Sequence, residues 1–189
     1  PKITSMEKTT PRRTFLSKTF MASAGLALAS STSVVSAFSL NNMPISEHKV
    51  DLRTSFFEKQ IKISGQIFDA SGKNTLNSVQ LEFWHQSPDS DIVEQRGSLL
   101  TDENGRYQLK SDYPSRKNGT APTVHFKLSK NGMVCETELM VSEFDAFISG
   151  EHWEKNNQLK EELLFPKHSK YDLKTEVIFN ISLTNQKQL

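Results

Sequence analysis

The stretch FWHQSPDSDIVEQRGSLLTDENGRYQLKSDYPSRKNGTAPTVHF, residues 83–126, decides how the chain folds. It begins on a strand that ends in Trp84, passes Arg96-Gly97 and reaches Thr101-Asp102-Glu103-Asn104-Gly105. Asn-Gly between two strand-like runs predicts a hairpin, because both residues tolerate positive φ. On the returning strand Tyr107 and Leu109 alternate with polar residues. Beyond Tyr113-Pro114 and a loop at Lys117–Thr120, Val124, Phe126 and Leu128 alternate with His125 and Lys127. A period of two gives each strand one apolar face.

The same period continues outward. Upstream, Ile61, Ile63 and Ile67 mark a strand, Asp69–Asn74 a turn, and Val79, Leu81 and Phe83 a second strand. Downstream, Asn131-Gly132 marks a turn and Met133–Val141 another strand, on which the single cysteine, Cys135, is a small core residue. Ser142–Leu164 breaks the pattern. It scatters Phe144, Phe147, Trp153, Leu159, Leu163 and Leu164 among charges and predicts one or two short helices or an irregular excursion. Val177, Phe179, Ile181 and Leu183 form the last strand. About six short strands separated by turns argue an all-β antiparallel sandwich.

Composition narrows the function. Over 189 residues the formal net charge is +1, with no basic run beyond the first residues, so nucleic acid is not expected as a partner. The N-terminal segment is read apart from the fold. Arg12-Arg13-Thr14-Phe15-Leu16, then an uncharged run rich in Ala, Ser and Thr, then Val35-Ser36-Ala37, resemble a bacterial twin-arginine export signal. The run is too polar for a membrane anchor. The expected organisation is an export signal over 1–37, an arm over 38–57, a β-sandwich over 58–185 and a tail over 186–189, in a protein delivered to the periplasm or beyond. The signal holds five cations and one anion, so a chain starting at Phe38 changes from +1 to −3. A homo-oligomer is compatible with such a domain. No Gly-rich phosphate loop, His-Glu-x-x-His or Gly-x-Ser-x-Gly motif is present.

Six pieces, in order, carry a family resemblance. Ile63-Ser64-Gly65-Gln66-Ile67-Phe68-Asp69 and Val79-Gln80-Leu81-Glu82-Phe83-Trp84 resemble the opening of the intradiol ring-cleavage dioxygenase core. Arg96-Gly97 followed by Thr101-Asp102-Glu103-Asn104-Gly105-Arg106-Tyr107 is similar to that family's Arg-Gly and Thr-Asp-x-x-Gly-x-Tyr signature. Pro122-Thr123-Val124-His125-Phe126 resembles its Pro-x-His-x-His-Phe strand. Glu136-Thr137-Glu138-Leu139 and Phe179-Asn180-Ile181-Ser182-Leu183 match the next and closing strands. The resemblance spans roughly residues 60–184.

It implies an intradiol-dioxygenase-like β-sandwich with a ferric ion held by two Tyr and two His, cleaving catechol-type aromatics between the hydroxyl-bearing carbons. Matched position by position, His125 is the second His of the motif and Thr123 stands at the first. Tyr113 matches the Tyr-Pro loop, and Ile92 stands at the earlier Tyr. Thr120 replaces the Arg that faces substrate, and Glu138 replaces a Gln. The implied metal set is therefore His125 and Tyr113 with Glu138 as an unconventional third, and Trp84 and Arg96 border the substrate pocket. Trp84 is expected inside the sandwich and His85 at an exposed loop edge. Two readings stand open. One is an Fe(III)-dependent dioxygenase with a remodelled site. The other is a non-catalytic binding module, for an aromatic, a glycan or a protein, that has lost the metal.

Overall fold

The computed structural model describes residues 46–86, 94–116 and 119–184, so the export-signal segment and Ile92 lie outside it. Along the chain run β1 (Ser46–Glu47), β2 (Lys49–Asp51), β3 (Gln60–Phe68), β4 (Gln80–Gln86), β5 (Glu94–Leu100), β6 (Arg106–Asp112), β7 (Thr123–Lys130), β8 (Met133–Val141) and β9 (Ala146–Ile148). Then come α1 (Gly150–Asn156), α2 (Glu161–Leu164), β10 (Lys167–Tyr171), β11 (Lys174–Ile178) and β12 (Ile181–Ser182). One sheet has the order β1-β5-β4-β7-β8-β9. The other has β10-β11-β3-β6-β2, with β12 pairing β3. The result is an all-β sandwich with a short helical excursion before the last strands.

The alternating apolar residues meet between the sheets. Leu81, Phe83, Leu99, Val124, Phe126, Leu128, Cys135 and Leu139 project from one sheet. Ile61, Ile63, Ile67, Tyr107, Leu109, Val177, Phe179 and Ile181 project from the other, and all are buried. Burying side chains of this size is worth roughly 1.5–3 kcal/mol each, which makes this contact the main source of stability. One side-chain hydroxyl and one backbone carbonyl are satisfied together inside it. The Tyr107 hydroxyl donates to the Phe179 carbonyl at 2.6 Å. That carbonyl lies 1.8 Å from where a Cβ on Gly65 would stand, so residue 65 must be Gly for the closing strand to approach β3.

Several expectations need correcting. The arm contributes β1 and β2, which pair in parallel with β5 and β6. The closing strand is two pieces, β11 and β12, interrupted where the Asn180 side chain accepts from the Gln66 amide at 3.0 Å. The Thr101–Gly105 turn is not a hairpin. It hands the chain from β5 in one sheet to β6 in the other. Its bonds are made locally: Gly105 N–H donates to the Asp102 carbonyl, and the Asp102 carboxylate accepts from the amides of Asn104 and Arg106 at 2.9 and 2.7 Å. The turn thus needs no paired strands, and β6 is free to pair with β3 and β2. The Asn131-Gly132 turn is a true two-residue hairpin joining β7 to β8, with Lys130 opposite Met133.

Candidate functional site

β7 alternates strictly. Val124, Phe126 and Leu128 face the core, so Thr123, His125 and Lys127 face outward. Register then places partners beside His125. Trp84 of β4 stands opposite it on one side and Glu138 of β8 on the other, while Arg96 of β5 stands opposite Trp84. Four strands therefore present a row Arg96–Trp84–His125–Glu138 on the outer face.

The row is in contact along its length. The Arg96 guanidinium lies over the Trp84 ring, 4.9 Å from its centroid. The Trp84 and His125 rings stack at 5.5 Å and 18°. The His125 Nδ1 is 3.8 Å from the Glu138 Oε2. Trp84 is thus half-buried in an external stack and not inside the sandwich, because the inward position of β4 at this level belongs to His85. His85 is buried, at 1% exposure, and not at a loop edge. Its Nε2 meets the Ser111 hydroxyl at 2.7 Å, and burial pushes its imidazole below the usual range.

Two cavities flank the stack. One of about 380 Å³ is bounded by Trp84, His85, Ser115, Thr123, His125 and Met140, with Glu138 at its rim. The other, about 190 Å³, lies toward α1 and shares Trp84, His125 and Glu138 with the first. Behind it sits His152 of α1, whose amide is capped by the Ser149 hydroxyl and whose Nδ1 meets the Thr137 hydroxyl at 2.7 Å. Burial, and then Lys155, lower its imidazole to about 4. The sequence put His85 at a loop edge and did not single out His152, and both are buried. The only available signal for His85 was its place on the Phe83 face of β4, two residues after a core position.

Of the implied metal set, His125 and Glu138 come together. Tyr113 packs against the sandwich core and lines neither cavity, and its buried hydroxyl has no hydrogen-bond partner. Burial, reinforced by the Glu143 carboxylate, raises its phenol above the ordinary value. Thr123 donates its hydroxyl to the Ala121 carbonyl at 2.9 Å. Among the described residues no group of three or more His, Cys, Asp or Glu is placed to hold a metal ion. The described donors therefore do not fit a ferric centre, whose affinity and geometry depend on ligand number and type. No helix among the described residues is long and apolar enough to cross a membrane.

No protein-family model matches the chain, and no curated protein matches it. Solved structures do. A catechol 1,2-dioxygenase from Acinetobacter sp. ADP1 is similar at 19% identity and a TM-score of 0.54, over 76% of this chain and 59% of that one. An intradiol ring-cleavage dioxygenase from Tetranychus urticae is similar at 12% identity and a TM-score of 0.54, over 78% and 91%. The dioxygenase domain of a dioxygenase–carbohydrate-binding fusion from Streptomyces sp. SirexAA-E is similar at 22% identity and a TM-score of 0.53, over 75% and 91%. The chain thus spans about three-fifths of the bacterial catechol dioxygenase and nine-tenths of the two shorter proteins. With these structural matches and its two sheets, this chain has the intradiol ring-cleavage dioxygenase fold.

Proposed function

We propose that this protein is an exported, non-catalytic module on the intradiol-dioxygenase fold, binding a small hydroxylated aromatic molecule in the cleft beside His125. One observation carries the reading. His125 is held in a four-residue stack, with a Thr hydroxyl where the resemblance calls for a second imidazole. Its ring is occupied by Trp84 on one side and faces Glu138 on the other. The cleft of about 380 Å³ suits a single aromatic ring. Met140 and the edge of Trp84 supply apolar wall, and Glu138 accepts a hydrogen bond from a phenolic hydroxyl. Export is supported by the Arg12-Arg13 segment and the polar run after it.

An active dioxygenase is the second reading. It is favoured by His125 keeping its motif position next to an acidic side chain. Iron analysis, the visible spectrum and calorimetric titration with catechol, all on the exported protein, separate the two. The expected result is a colourless protein that binds catechol equally well before and after chelation, with an unchanged melting temperature. His125→Ala should weaken catechol binding about threefold to tenfold, the scale of one lost aromatic contact. Stoichiometric iron with a tyrosinate-to-iron absorption band would replace the binding reading by the catalytic one.

A further inference from the structure

A buried chain of hydrogen bonds runs beneath the cleft and crosses from one sheet to the other. His85 Nε2 lies 2.7 Å from the Ser111 hydroxyl. Ser111 donates to the Gln95 Oε1 at 2.6 Å, and Gln95 Nε2 donates to the Asp112 Oδ2 at 2.6 Å. Asp112 also accepts from the Thr54 hydroxyl at 2.6 Å and from the Thr54 amide at 3.1 Å. Burial raises the Asp112 carboxyl, but the bonds from Thr54 and Gln95 outweigh it and hold the group ionised, below the ordinary range.

The direction of this chain follows from donor counting. An ionised carboxylate only accepts, so Gln95 turns its NH2 toward Asp112 and its carbonyl toward Ser111. Ser111 has one proton and spends it on that carbonyl. It must then accept from His85, which places the proton of the neutral imidazole on Nε2. The other nitrogen, Nδ1, stands 2.9 Å from the Gln86 carbonyl oxygen. In the neutral ring two lone pairs face each other there. In the imidazolium the same contact is a hydrogen bond strengthened by charge. The Gln86 carbonyl also receives the Ser115 amide at 3.3 Å, which ties the end of β4 to the segment after β6. His85 and Ser115 both border the cleft of about 380 Å³.

We infer that His85 is an acid-operated clasp on this cleft: a solvent proton taken up at Nδ1 bonds the Gln86 carbonyl and fastens the wall that Gln86 shares with Ser115. The charged groups around it are Asp112, acting through the Ser111–Gln95 chain, and His125 and Glu138 across the cleft. Acid therefore tightens the cleft, and ligand affinity rises as pH falls through the titration of His85. The ligand part rests on the binding reading above, whereas the clasp itself does not.

The test is nitrogen-15 NMR of the His85 imidazole in the full chain between pH 4 and 8. Protection of the Ser115 amide against exchange and calorimetric affinity for catechol are followed over the same range. The expected neutral form carries its proton on Nε2, titrates at Nδ1, and shows higher Ser115 protection and at least threefold tighter catechol binding on the acid side. In Ser111→Ala the constraint on Nε2 is gone, so the neutral ring should move its proton to Nδ1 and the Ser115 protection should lose its pH dependence. A wild-type neutral ring protonated on Nδ1, or Ser115 protection that does not change as His85 titrates, overturns the clasp. Catechol that binds with a flat pH dependence overturns its link to the cleft. Catechol that binds at no pH ends the binding reading, and the Nδ1 and Ser115 measurements then decide the clasp alone.

Discussion

Of the three Asn-Gly pairs in this chain, the two whose residues are both described, Asn131-Gly132 and Asn104-Gly105, do different things. Asn131-Gly132 closes a two-residue hairpin with φ of +51° and +80°, the pair of positive values that the right-handed strand twist favours. At Asn104-Gly105 only Gly105 is positive, at +71°, and the strands on either side lie in different sheets. The dipeptide permits both outcomes, and the neighbours choose. Beside the second pair, Asp102 takes up the Asn104 and Arg106 amides, so the turn is complete without a ladder. Gly105 also packs under the Ile67–Leu76 backbone, which fixes it to the β3 side.

Each turn positions part of the site. The hairpin sets the register in which Lys130 faces Met133, and five residues back His125 therefore faces Glu138. The inter-sheet turn separates Gln95 on β5 from Ser111 on β6, so their hydrogen bond bridges the sandwich under the cleft.

The contrast can be broken by substitution. Gly105→Ala should have the largest effect, about 2–3 kcal/mol by denaturant unfolding, because a Cβ would meet the Ile67 carbonyl and the Leu76 backbone at 3.0 Å in addition to the cost of positive φ. Asp102→Ala should cost about 1 kcal/mol, the worth of its amide bonds at an exposed turn. It should also lower protection of the Asn104 and Arg106 amides in hydrogen exchange while leaving the hairpin amides unchanged. Gly132→Ala should cost the least, about 1 kcal/mol or less, because nothing lies within 4 Å of the new methyl and only φ is strained. If Gly132→Ala proved as costly as Gly105→Ala, the two turns would differ in geometry but not in how tightly the fold holds them.

Strand positions were legible in the sequence because half-buried strands show a period of two. Met133–Val141 and the alternation around His125 are where that period placed them. The pairing of strands was not legible at Thr101–Gly105, because a turn signal says the chain reverses without saying into which sheet. Part of the site could be read. His125, Glu138, Trp84 and Arg96 lie in one row because each is an outward residue at matching register. Tyr113 could not be placed, since a Tyr-Pro pair in a loop carries no period, and the core took its ring. His85 could not be found as a buried group, because a polar residue at an inward position looks the same in sequence as one at a strand end, and His152 lies on α1 in the segment where the period of two breaks.

What the sequence by itself determined is the all-β class and the apolar faces, since both follow from residue identity and local period. Tertiary structure alone decided that the segment from β5 to β6 crosses between sheets, that Trp84 stacks outside on His125, and that His85 is wired to Asp112 through Ser111 and Gln95. Those depend on which strands become neighbours, and strand pairing is set by packing between residues far apart in the chain.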